Sequence, residues 1–212
     1  MEDIKTRDDL LNKLRSYVIT PDDDTIKYKN IIKKSLLNCP ELLYSFGDKE
    51  LEAELYDKNG NLLIDHSTGE LTGEVDRYFG DNSHIRQMLY FPETQVTVES
   101  YLCYQVMFDE IPRYQNTQKY TQIIFTVFVN GLSATDKLTG LPRHDLIATI
   151  IRERFNWSNI FGMQAKLISS KESTTDNNFL VRTLTFQITD VNSITYTPFN
   201  ESTYTHNYKV RR

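Results

Sequence analysis

TQIIFTVFVN (121–130), GLSATDKLTGLP (131–142), RHDLIATIIRERF (143–155) and FLVRTLTFQI (179–188) together decide the fold. The first of these is β-branched or aromatic at most positions, which predicts a strand burying parts of both faces. Gly131 to Pro142 reads as a turn-rich loop. In 143–155, Leu146, Ile147, Ile150, Ile151 and Phe155 fall on one stripe and predict an amphipathic helix. Ala165 to Ser170 reads as a strand, and the polar Glu172 to Asn178 as a hairpin loop. In the closing strand Leu180, Leu184, Phe186 and Ile188 alternate with Val181, Thr183, Thr185 and Gln187. The order strand, loop, helix, strand, strand is met most economically by an α+β domain, with one main helix packed on a mixed or antiparallel sheet.

Toward the amino terminus the pattern becomes helical. Thr6-Arg7-Asp8-Asp9 places a hydroxyl three residues before a carboxylate, a relative of the capping box. Leu10, Leu11, Leu14, Tyr17 and Val18 then share one face. Thr20-Pro21-Asp22-Asp23 signals a second helix start, with Tyr28, Ile31, Ile32, Leu36 and Leu37 as its buried face. Cys39-Pro40 ends it, because the residue before Pro is driven out of the helical region. A short helix through Glu41–Tyr44 stops at Gly47. Residues 1–50 thus read as an N-terminal helical segment, a hairpin of helices.

Residues 51–112 read as an acidic, β-rich insertion. Asn59-Gly60 is a strong hairpin signal, and 96–108 is a long β-type run closed by Pro112. Residues 113–198 carry the α+β core, and 199–212 an extended C-terminal arm. The arm spaces Phe199, Tyr204 and Tyr208 ahead of Lys209, Arg211 and Arg212. Rigid aromatics on a polar tail suit docking onto a neighbour.

Charge follows the same divisions. The formal net charge of −5 conceals −1 in residues 1–50, −9 in 51–112 and +5 in 113–212. An acidic middle beside a basic half makes a poor nucleic-acid binder, yet makes two copies complementary when they meet head to tail. At 212 residues with 39% hydrophobic and 12% aromatic side chains, the chain can fold around its own core. No apolar run approaches the roughly 18 residues of a membrane helix, so no membrane partner is expected. Met1-Glu2-Asp3-Ile4-Lys5 does not resemble a signal peptide. Cys39 and Cys103 read as reduced thiols of a protein made in a cytoplasm.

Catalytic and ligand chemistry finds little support. The eight glycines form no phosphate-cradling motif. Asp57, Asn59 and Asn61 begin like a calcium loop, but Gly60 falls two residues early and no Glu closes it. His66, His84, His144 and His206 lie too far apart in sequence to read as a metal motif. Cys103 with a histidine, or Asp109-Glu110 with Asp136-Lys137, could be assembled into a hydrolytic site, although spacing constrains neither. The expectation is therefore no enzyme, no metal and no cofactor.

The order from 121 to 188, with Asp136 to Asp145 preceding the helix and Arg182 in the last strand, resembles the neck and tail-terminator proteins of tailed bacteriophages. The N-terminal hairpin, ending Asn38-Cys39-Pro40-Glu41-Leu42-Leu43-Tyr44, resembles openings found in such virion proteins. The resemblance implies a tail-terminator-like core in 113–198. It further implies a non-enzymatic virion protein, made in the host cytoplasm. That protein would form a homo-oligomeric ring of six or twelve copies in the neck, where the head-tail connector joins portal and adaptor proteins to the tail. DNA would pass through the channel without specific binding. Two sets of interface residues follow: the arm residues Phe199, Tyr204, Tyr208, Lys209, Arg211 and Arg212, and the core helix and its start, Arg143, His144, Asp145, Arg152 and Arg154. The alternatives are a monomeric or dimeric adaptor binding a protein through a sheet edge, strand 121–130 for instance, and a hydrolase with an unrecognised site.

Overall fold

The long apolar strand lies where its composition requires, in the middle of a sheet. In the computed structural model, which describes residues 6–19, 24–89, 100–108, 118–175, 178–191, 194–196 and 202–204, five helices precede or interleave with seven strands. The helices are α1 (Arg7–Ile19), α2 (Asp24–Leu37), α3 (Pro40–Ser45), α4 (Lys49–Glu52) and α5 (Arg143–Phe155). The strands are β1 (Ile85–Arg86), β2 (Ser100–Phe108), β3 (Gln118–Asn130), β4 (Lys166–Thr174), β5 (Phe179–Val191), β6 (Ile194–Tyr196) and β7 (Ser202–Tyr204). β1 to β5 form one sheet in the order β1-β2-β3-β5-β4, and β6 pairs with β7 alone. β1 runs parallel to β2 and the other pairings are antiparallel, so the sheet is mixed and the fold is α+β.

β3 is paired along its length to β2 on one side and β5 on the other. The use of strand 121–130 as an open edge is therefore corrected: its ladder groups are already spent, and the open edge is β4. β2, from the stretch read as an insertion, supplies the neighbour of β3. β4 also runs on to Thr174, into the expected hairpin loop, because its register with β5 holds from Ser169 to Thr174.

One face of the sheet carries the main core. Ile123, Phe125, Val127 and Val129 of β3 meet Leu102 and Tyr104 of β2 and Leu184, Phe186 and Ile188 of β5. α5 lays Ile147, Ile151 and Phe155 onto them at i, i+4 and i+8, while Leu146 and Ile150 flank the stripe half-buried. Phe155 packs 4.8 Å from Phe125 and 5.9 Å from Phe161, and Phe161 meets Tyr28 of α2 edge-on at 5.5 Å. Each such buried side chain contributes about 1.5–3 kcal/mol. The opposite face buries a smaller group, Tyr101, Cys103, Phe128 and Val181, with Arg86 over the Tyr101 ring.

The expected capping box is present at α1: the Thr6 amide donates to Asp9 Oδ2 at 2.9 Å and the Asp9 amide to Thr6 Oγ1 at 3.1 Å. On the face shared by Leu10, Leu11 and Leu14, Leu10 and Leu14 are 44% and 52% exposed and neither joins a core of the described residues. Their spacing specified a helix but not a surface to receive it. α2 ends before Cys39, and Pro40 opens α3. Around Asn59-Gly60, Tyr56 bridges Leu62 across a turn held by Asp57 Oδ1, which accepts from the Asn59 and Asn61 amides at 2.8 Å.

Candidate functional site

β4 and the loops at its two ends gather the features that stability does not require. After β3, the loop 131–142 is a built structure. Asp136 is buried, and its Oδ2 accepts from the Thr139 amide at 2.9 Å and the Thr139 hydroxyl at 2.7 Å. Burial pushes the Asp136 carboxyl up, but these bonds and the Arg143 charge bring it below the ordinary carboxylate range. Around this rigid frame the loop turns its leucines outward: Leu132 is 98% exposed, Leu138 75% and Leu141 52%. An open cleft of about 610 Å³ lies beside Leu132, reaching Phe179 and Leu180 at the β4–β5 turn.

At the far end of α5, the turn from Asn156 to Ala165 closes on itself. The Trp157 amide donates to Ala165 O at 2.7 Å, the Ala165 amide to Ser158 O at 3.0 Å, and the Leu167 amide to Asn156 Oδ1 at 2.9 Å. The closure holds Trp157 at φ 61°, in the left-handed region where a large side chain is strained. Trp157, the one tryptophan of the chain, is 56% exposed. Ile160 and Met163 of the same turn are exposed with it. Lys166 lies over the indole, and Ile168 stands out where the β4–β5 register shifts between Leu167 and Ser169.

The residues of α5 singled out by sequence divide into separate roles. Arg143 is buried and donates inward, from Nη1 to Ser45 O at 2.7 Å and from Nε to Ser133 O at 3.2 Å, with Asp136 at 3.7 Å. Arg154 likewise donates to Ser35 Oγ at 2.8 Å and Asn38 O at 3.1 Å. Both guanidiniums tie α5 to the helical hairpin. His144 is buried with Nε2 3.3 Å from Glu172 Oε1. Asp145 pairs with Arg182 at 3.4 Å, and Arg182 reaches Glu172 at 3.5 Å, making an ionic link from α5 to β4 and β5. Of the five, Arg152 is exposed, lining an open groove of about 230 Å³ with Ser170 and Arg182. Of the arm, the backbone of Tyr204 is in β7. Phe199, Tyr208, Lys209, Arg211 and Arg212 lie outside the described residues, as do Asp109 and Glu110.

Sequence reasoning missed Glu172 and Arg182 as partners of the helix start, and missed the exposure of Leu132, Leu138 and Trp157. The lone tryptophan in a Gly- and Asn-containing turn was the available signal. Cys103 is buried in the smaller core, and burial pushes the Cys39 thiol up to about 11, so neither is poised as a nucleophile. Among the described residues no group of three or more His, Cys, Asp and Glu side chains is arranged to hold a metal ion, and no helix is long and apolar enough to cross a membrane.

The molecule is thus an α+β protein with a mixed sheet, helices on one face and apolar side chains displayed from loops and the β4 edge. Its sequence matches the model of the YomW family over residues 34–188, from within α2 to β5. The chain belongs to the YomW family and is a phage-related protein. No curated protein matches it.

Proposed function

We propose that this protein is a non-enzymatic structural component of a tailed phage that assembles into a homo-oligomeric ring in the virion neck, between portal and tail. The observation that carries the reading is the display of large apolar side chains on rigid supports. Leu132, Leu138 and Trp157 are held outward by loops closed by their own hydrogen bonds, which favours a contact surface over a defect of the core. Membership of a phage-related family supports the setting. The titratable groups brought together at the start of α5 are engaged with one another, in keeping with a scaffold. Heterologous contacts between identical subunits close into rings when the rotation permits. The adaptor reading is weaker, because β4 carries a register shift and the exposed Lys166 and Lys171, features that blunt an edge against strand addition.

Negative-stain electron microscopy of the concentrated protein, alone and mixed with the phage's portal and tail proteins, tests the proposal. Closed rings of uniform copy number are the expected result. Particles of monomer size in every mixture would overturn it.

A further inference from the structure

The sheet order separates two surfaces of opposite charge. β1 and the segment before it form one side. Residues 48–89 hold ten carboxylates against four cations, so the surface stays acidic after its internal pairs are made. Those pairs are Lys33 with Asp76, Lys34 with Glu70, Arg77 with Glu54 and His84 with Asp48. Asp81, in the turn that leads into β1, and Glu74, at the start of the Val75–Tyr78 turn before it, are exposed and form no ion pair with a described cation. Met88 and Leu89, directly after β1, supply exposed apolar area. At the opposite edge, β4 presents Lys166 and Lys171, flanked by Trp157 and Ile168. In residues 131–189, Arg143 is paired with Asp136, Arg182 with Asp145 and Glu172, and Arg154 is turned inward, which leaves Lys137, Arg152, Lys166 and Lys171 against Glu153 and Asp176, the opposite balance.

Resting on the ring reading above, we infer that the Trp157–β4 edge of one copy docks against the acidic β1 side of a second copy, Lys166 and Lys171 facing Glu74 and Asp81. The occupant is another copy of this chain because charge complementarity and exposed apolar surface both occur within one molecule, on opposite edges of one sheet. Such a contact joins unlike faces, so each copy keeps one of each free, and assembly proceeds to closure. Like charges on two equivalent edges would repel, which disfavours the two-fold alternative. The indole, an aromatic of the kind that anchors interfaces, sits where the contact begins and loses water as it forms.

A charge swap tests the inference. Lys166→Glu/Lys171→Glu reverses one face, and Glu74→Lys/Asp81→Lys reverses the other. All four side chains are exposed, and circular dichroism checks that each variant folds. Static light scattering and the emission wavelength of Trp157 follow assembly. Each variant alone is expected to need about 100-fold or more higher concentration to assemble. An equimolar mixture, in which the native and the doubly reversed contacts alternate, is expected to recover the native mass and a blue-shifted indole. Native-like assembly by the separate variants would overturn this pairing of faces and leave the ring reading standing. Wild-type protein that stays monomeric at every concentration and salt level, alone and mixed with the phage's portal and tail proteins, would overturn both. Lack of recovery in the mixture, with both variants folded and separately monomeric, would also reject the pairing.

Discussion

Gly47→Ala probes how the helical hairpin is locked to α5. Gly47 follows the end of α3 at φ 75°, and a Cβ added there would overlap the Arg143 guanidinium. The substitution therefore acts twice. It places an L side chain in the left-handed region, costing about 1–2 kcal/mol. It also drives Arg143 from Ser45 O, Ser133 O and Asp136, and breaking a buried ionic cluster costs about 3–5 kcal/mol. Arg143→Ala alone loses the second amount. In the double variant the overlap is absent, so Gly47→Ala costs only the backbone share. We expect a coupling of about 3 kcal/mol, against the roughly 0.5 kcal/mol of independent sites. Urea unfolding followed by circular dichroism, at protein concentrations where self-association contributes nothing, measures the cycle. Additive single effects would refute the shared-lock explanation.

Trp157→Gly is expected to stabilise the isolated subunit by about 1 kcal/mol, because glycine accepts φ 61° without strain, while weakening assembly; urea unfolding and light scattering on the same sample check both signs. Burial raises the Asp48 carboxyl, but the bond from His84 Nε2 and those from the Leu51 and Glu50 amides leave it lowered, as Asp136 is. Their stabilisation is complete above the unfolded pKa near 4 and is lost as pH falls through the lower folded value. The thermal midpoint should drop on acidification, and Asp48→Asn, which keeps the helix cap, should flatten that limb; an unchanged limb would reject the assignment. Thr6→Ala should cost α1 about 1 kcal/mol locally, seen as faster amide exchange at residues 7–10, with the global melting temperature unmoved because no described side chain of α1 belongs to either core.

Local periodicity made much of the sheet and its helix legible. α5 spans the expected 143–155 and ends at Phe155, the last residue of its apolar stripe, and the Ile123, Phe125 and Val127 alternation marks β3 as buried on the core face. The Thr6–Asp9 cap and the Cys39-Pro40 break are also short-range signals, readable because both partners lie within a few residues. What was not legible depended on distant partners. The inward bonds of Arg143 and Arg154 could not be read, because Ser45 lies 98 positions from one and Ser35 119 from the other. Nothing near Leu10 and Leu14 states that no surface awaits them. The two-residue β1 has too few residues for any period, and the exposure of Trp157 arises from a left-handed turn closed by Ala165. The candidate surface is therefore three-dimensional in origin: charge by segment was visible, and its separation onto opposite sheet edges was not.

The proposal stands or falls on the mass of the protein in solution. Light scattering over a concentration series at low and high salt should give a defined multiple of the 24.8 kDa chain, six or twelve copies, which dissociates as salt screens the opposed faces. A monomer across the whole series, unmoved by salt and unchanged on adding portal and tail proteins, would contradict it.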